Sequence, residues 1–262
     1  MSVHGYLRSI GVVGPGIDDW SQARSVLTAQ SPYRFRPTSL PAPEGLPPAE
    51  RRRVGRVVKL ALAAGLQAAK GAGLDPATLP AVFSSSGGDG QNCHELCEVL
   101  ATPDPHLSPT RFHNSVHNAA AGYWSIATGA RTPSNALCAF DASFAAGLLE
   151  ALTQVVVDQV PVLLVAYDAP YPPPLDAKRP IAEAFGVAMV LAPRGDSSSL
   201  AQLTLSFADA APSGLGDPDL EHLRTSIPAA RCLPLLRQIA LGAPGEVVLE
   251  YLAPHHLGVS VA

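Results

Sequence analysis

Asp141 follows a short apolar run, Asn135-Ala-Leu-Cys138-Ala-Phe140, and precedes a helical pattern in which Ala145, Leu148, Leu149 and Leu152 recur at helix spacing. A strand that passes through a tight junction into a buried helix presents one side chain at the helix N-terminus. Free backbone N–H groups and the helix dipole favour negative charge there. Enzymes that use such a junction place a nucleophile on it, usually Cys or Ser. An aspartate is a weak acyl acceptor and a good N-cap, so Asp141 is expected to cap the helix in place of a nucleophile. A carboxylate nucleophile is the alternative reading.

The other chemically able residues form weaker patterns. His113 and His117 are four apart and would share one face of a helix, but no third ligand lies near them, so a packing or hydrogen-bonding role is expected and a metal is not. Cys93-His94-x-x-Cys97 has helical spacing and no second ligand pair downstream, which points to half-buried helix cysteines. Ser84-Ser-Ser-Gly-Gly-Asp-Gly90 sits between a strand-like and a helix-like run, yet it matches neither Gly-x-Gly-x-x-Gly nor Gly-Lys-Ser/Thr. No nucleotide, metal or other cofactor is therefore expected. The basic run Arg51-Arg52-Arg53 reads as a solvated helical turn before it reads as an anion site.

These residues need elements to hold them. Strands are expected over residues 3–13, 79–84, 135–140 (buried), 160–167, 182–191 and 200–207, the last two as antiparallel neighbours. Helices are expected over 20–28, 49–71, 92–100, 116–127 with Gly129 near its C-cap, and from 142 toward 157. Proline-rich connections occupy 31–48 and 102–110. One helix, including 233–241, and a hairpin of 246–251 with 257–261 complete the chain. Helices alternating with apolar strands predict an α/β layered domain.

Composition narrows the function classes. Of 262 residues, 47% are hydrophobic and only 15% charged, against roughly 25% in typical soluble domains. Such sparse charge fits either a large face covered by another subunit or a simple alanine-rich bias. A net charge of −4 argues against a nucleic-acid surface. The apolar stretch after Asp141 is broken by Glu150, Gln154, Asp158 and Gln159, so no membrane span is expected. The N-terminus lacks a basic-then-apolar signal pattern, and the four cysteines show no disulfide framework. A cytoplasmic protein with reduced thiols is expected.

The centre of the chain resembles the N-terminal half of β-ketoacyl synthases of the thiolase-like superfamily. Ala120-Ala121-Gly122-Tyr-Trp-Ser125-Ile126 is similar to the family's Ala-Ala-Gly-x-x-Ser-Ile helix, and Pro133-Ser134 to its Gly-Pro-Ser. The end of the 162–168 run resembles the later Ala-Gly-Gly-Ala-Glu strand end, and 186–191 resembles Gly-Ala-Gly-Val-Leu-Val-Leu. The likeness covers about residues 3–207. It implies a single α/β/α domain with a mixed five-stranded sheet, lacking the C-terminal thiolase half, with residues 208–262 as a short helix-plus-hairpin extension packed on it. Counted from Pro133-Ser134, the family's nucleophilic Cys falls at Asp141, and Cys138 comes three residues too early. The family's two histidine motifs have no counterpart, since His255-His256 lies in an unrelated terminal hairpin.

The family contains silent members, the chain-length factors of type II polyketide synthases, which pair with an active ketosynthase and help shape its tunnel. The run 113–122, the acid at the Cys site and the run 143–151 are similar to the partner subunit of aryl polyene synthesis. The resemblance implies a heterodimer with a ketosynthase, with acyl carrier protein as a further candidate partner and the 135–140 strand at the dimer axis. Phe112, Asn114, His117, Tyr123, Asn135, Cys138, Phe140 and Phe144 are the candidates to line the interface or the tunnel; for the aromatic ones, core packing is the alternative. Two other functions stay open. One is a small acyltransferase, thioesterase or decarboxylase using Cys138 or Asp141 with His113 or His117 as base. The other is a scaffold with no influence on product length.

Overall fold

A computed structural model describes residues 3–43 and 45–262. Among these the strands are β1 (Val3–Val13), β2 (Ala81–Ser84), β3 (Ser134–Leu137), β4 (Val162–Asp168), β5 (Phe185–Ala192), β6 (Ala201–Ala208), β7 (Gly245–Leu249) and β8 (His256–Val261). The helices are α1 (Trp20–Leu27), α2 (Pro48–Arg51), α3 (Arg56–Ala72), α4 (Gly90–Leu100), α5 (Pro109–His113), α6 (Ala119–Thr128), α7 (Ser143–Asp158), α8 (Pro218–Ser226) and α9 (Leu233–Leu241).

All eight strands form one sheet in the order β3-β2-β4-β5-β1-β6-β8-β7. The β3, β2 and β4 strands run parallel, and every other pairing is antiparallel. The layered, mixed α/β class is the one expected, but the sheet has eight strands where five were expected. The terminal hairpin β7–β8 joins it through β6 rather than packing on top. The β5 and β6 strands are not neighbours either: β1 lies between them and pairs with both. The short connection between β5 and β6 reads as a hairpin, but β5 is buried throughout while β6 alternates, and β1 fits between them.

The central strands are buried on both faces, and their alternation divides the core in two. Val162, Leu164, Phe185, Val187 and Met189 face the layer of α1, α7, α8 and α9. Leu163, Val165, Tyr167, Ala188 and Val190 face the layer of α3 and α6. Two glycines let the layers close. A Cβ at Gly11 would stand 2.1 Å from the Ala64 carbonyl oxygen of α3, and one at Gly147 would stand 2.8 Å from Leu164 Cδ1 and 2.9 Å from Ser84 Cβ. By length and composition Phe140–Asp158 is apolar enough to cross a membrane, but half of it is buried inside the fold. It is the core helix of one layer.

Several boundaries depart from expectation. The helix expected over 49–71 is two helices, α2 and α3, separated at Arg52–Gly55, where Gly55 adopts an extended N-cap conformation. His113 closes the five-residue α5, whereas His117 lies in the turn before α6, so the two do not share a helical face. The run 135–140 is not a buried strand: β3 ends at Leu137, forms the outer edge of the sheet, and exposes Ser134, Asn135 and Ala136. Cys93 and Cys97 are exposed rather than half-buried.

Candidate functional site

The parallel strands β2, β3 and β4 end together, and chemically able side chains gather beyond their C-terminal ends, the usual place for ligand chemistry in such sheets. The chain leaves β3 through Cys138 and Ala139, turns sharply at Phe140 with a φ of +53°, passes through a 3₁₀ turn over Phe140–Ala142, and enters α7. Ser143 fixes this turn. Its Oγ accepts the Ala139 N–H at 3.0 Å and donates to the Phe140 carbonyl at 2.7 Å, while its own carbonyl accepts from Ser84 Oγ at 2.5 Å.

Asp141 does not cap α7. The N-cap position is Ala142, which makes no side-chain cap hydrogen bond. The Asp141 carboxylate instead meets two guanidinium groups. Oδ1 accepts from Arg179 in the loop after β4, and Oδ2 accepts from Arg231 Nη2 at 3.0 Å. Arg231 continues to Glu250, and Glu250 lies 3.9 Å from Arg224, itself bonded to Glu221 within α8. Arg231 keeps 15% and Asp141 29% of its side-chain surface exposed, so the network is partly desolvated. Burial pushes the Arg231 pKa down, and the Asp141 charge works against that. Each Asp141 oxygen thus receives a charge-assisted hydrogen bond from a different arginine, an interaction stronger than a neutral cap would supply.

Asp168 closes β4 and is fully buried. Its Oδ1 accepts from the Ser86 backbone N–H at 2.8 Å, Ser86 Oγ at 2.6 Å and Ser85 Oγ at 3.3 Å; Oδ2 has no partner among the described residues. Burial pushes its pKa up to about 6, opposed by the serine hydrogen bonds and the Arg179 charge. Ser85 Oγ also accepts the Gly88 N–H at 3.0 Å. The serine- and glycine-rich turn after β2 is therefore tied inward to a carboxylate.

Cys138 and His117 are both hydrogen-bonded to carbonyls of that turn. Cys138 Sγ donates to the Ser86 oxygen at 3.2 Å, and His117 Nε2 lies 3.0 Å from the Ser85 oxygen, a contact that places the ring proton on Nε2. His113 is exposed and makes no part of this group. Among the described residues no three metal-ligating side chains converge.

The remaining candidates divide by exposure. Asn114, Tyr123 and Phe144 are buried; the Tyr123 hydroxyl donates to Asn114 Oδ1 at 3.0 Å, and Asn114 Nδ2 donates to the Arg53 carbonyl at 3.1 Å. Asn135 is exposed on β3 and bonds Glu150 of α7 at 2.8 Å. Phe112 is 65% and Phe140 61% exposed, and Val116 before α6 and Ile126 within it are also exposed. A cleft of about 320 Å³ between α6 and β3 is lined by His117, Asn118, Ala121, Ser134 and Ala136. Two other clefts, of about 370 and 480 Å³, involve neither Asp141 nor Cys138. No local sequence signal singles out Arg179, Arg231 or Asp168: the arginines stand 38 and 90 residues from the carboxylate they bind.

A family model described as the beta-ketoacyl synthase N-terminal domain matches residues 20–230. No curated protein sequence matches the chain. Solved structures do. A chain of the complex of a ketosynthase (ApeO) with its chain length factor (ApeC) from Xenorhabdus doucetiae aligns over 98% of both chains at 22% identity, with a TM-score of 0.73. A chain of a type II polyketide synthase acyl-carrier protein in complex with its hexaketide-bound ketosynthase (AntDE:AntF) aligns over 100% of this chain and 99% of that one at 12% identity, with a TM-score of 0.78. A chain of the ishigamide ketosynthase/chain length factor aligns over 98% of both at 14% identity, with a TM-score of 0.73. At these identities the likeness establishes the thiolase-like fold.

Proposed function

The chain belongs to the family of β-ketoacyl synthase N-terminal domains, and from that premise we propose that it is a non-catalytic, chain-length-factor-like subunit that pairs with an active β-ketoacyl synthase. One observation carries the reading: Asp141, which the resemblance puts at the family's nucleophile position, has both of its oxygens held by arginines of the same chain. An acyl acceptor needs a free, activated nucleophile. A carboxylate clamped by Arg179 and Arg231 lacks the thiolate's nucleophilicity, and its charge is already neutralised by two guanidinium groups.

The edge strand supports the pairing. An unpaired sheet edge is a liability that soluble chains cover or blunt. Here β3 is an outermost strand, its Ser134, Asn135 and Ala136 side chains are exposed, and Val116, Ile126 and Phe140 stand exposed on the segments that flank it. A partner that covers β3 and these groups accounts for the low charge of the chain. The work of the pair is polyketide synthesis of the aryl polyene kind in the cytoplasm, and the role of this chain is to support the partner's acyl tunnel. In this reading residues 208–262 form an extension whose Arg224, Arg231 and Glu250 complete the lock on Asp141. A free-standing acyl-transfer enzyme is disfavoured, because Cys138 and His117 each bond a backbone carbonyl rather than each other.

The test is co-expression with a ketosynthase from the same source, followed by affinity capture and sizing. The reading expects a stable one-to-one complex. A monodisperse monomer that leaves the ketosynthase behind would refute it.

A further inference from the structure

Phe140 combines three features. Its φ is +53°, in the left-handed region that bulky residues avoid. Its ring is 61% exposed, so the chain derives little from burying it. And the ring is held: the Arg179 guanidinium carbon lies 3.7 Å from its centroid, a cation–π contact, while the same guanidinium bonds Asp141. Asp141 is fixed from its other side by Arg231, and the Phe140 carbonyl is fixed by Ser143 Oγ. An aromatic ring is thus strained outward, braced from behind, and left facing solvent at the end of the exposed β3 edge. Backbone strain of this kind persists where the surroundings over-determine it, and it concentrates at functional positions.

We propose that Phe140 is the anchor of the ketosynthase interface, a preset ring received by an apolar pocket of that partner, and that Asp141, Arg179 and Arg231 are the positioning residues that hold it. The proposal rests on the pairing reading given above and says which of the exposed groups carries the binding. Aromatic residues, phenylalanine among them, are enriched at the cores of protein interfaces, a few well-packed anchors carry most of the binding energy, and a ring already fixed before docking avoids the entropy of ordering it. The proposal also gives Asp141 a use: without a carboxylate there, Arg179 has no fixed place from which to brace the ring.

The experiment measures the dissociation constant of the reconstituted pair by interferometry for wild type, Phe140→Ala, Phe140→Gly, Arg179→Ala, Arg179→Lys and Asp141→Asn, with thermal unfolding of each free chain alongside. Phe140→Ala and Phe140→Gly should each weaken binding about 30-fold or more. Phe140→Gly, which relieves the left-handed strain, should leave the free chain as stable as wild type or more so. Arg179→Ala should weaken binding several-fold, with Arg179→Lys recovering part of the loss and Asp141→Asn falling between. If wild type binds and both Phe140 variants stay within threefold of it, the anchor is refuted and the pairing stands. If wild type does not bind, the pairing fails and the anchor fails with it.

Discussion

The Asp141 charge is matched from two directions, and that arrangement predicts its energetics. Asp141→Ala leaves Arg179 and Arg231 without their shared acceptor in a partly desolvated setting. Exposed pairs are worth about 0.2–1 kcal/mol, and removing one partner of a buried pair costs about 3–5 kcal/mol. Arg231 keeps Glu250, so an intermediate loss of about 1–3 kcal/mol is expected, measured by urea unfolding. Asp168 makes a prediction with the opposite sign. Its pKa rises from 3.8 to about 6 on folding, so between these values the folded state holds a proton that the unfolded state has released. Stability then falls as pH rises from about 4 to 6, and above 6 the buried charge costs up to about 3 kcal/mol. Asp168→Asn keeps an oxygen for Ser86 and removes the charge. Its unfolding free energy should match wild type near pH 4 and exceed it increasingly toward pH 7; a constant difference across that range would contradict the assignment. At this scale the sequence located the junction and its acid but misjudged what the acid does. A cap is a local interaction readable from neighbours, whereas Arg179 and Arg231 reach Asp141 only through the tertiary fold.

Among the elements, α7 shows how closely helix and sheet are fitted. Gly147→Ala should gain about 1 kcal/mol of helix propensity. The new Cβ would stand within 3.0 Å of both Leu164 and Ser84, and overpacking of that kind costs about 1–3 kcal/mol. The clash should win, giving a net loss of stability in denaturant. Leu148→Ala, at a fully buried position of the same helix, should cost about 2–5 kcal/mol by cavity formation. Long periodic elements such as β1, β4 and α7 were legible because their apolar patterns exceed any local ambiguity. The β3 strand was read as buried because its run is apolar, and a sequence cannot distinguish a strand covered by its own chain from one whose edge is open. The order of β5, β1 and β6 was illegible because a short connection between β5 and β6 reads as a hairpin, whereas β1, distant in the chain, inserts between them. The break between α2 and α3 had a visible signal in Gly55, which the continuous helical pattern around it outweighed.

For the whole molecule, one sheet spans from an open edge at β3 to the hairpin edge at β7, and the two edges differ. The Ser213 backbone N–H donates to the Val248 carbonyl at 2.8 Å and Ser213 Oγ accepts the Val248 N–H at 3.0 Å, so β7 is partly covered from within. The β3 edge, with exposed Phe140 beside it, is where the proposed partner would sit, and the clamped Asp141 stands next to that ring. The claim at the centre is that chemistry belongs to the partner and shape to this chain. Intact-mass spectrometry of the co-purified pair after exposure to an acyl-loaded carrier protein tests it most directly. The account predicts an acyl mass increment on the ketosynthase and none on this chain; an acyl adduct on this chain, at Asp141 or Cys138, would contradict it.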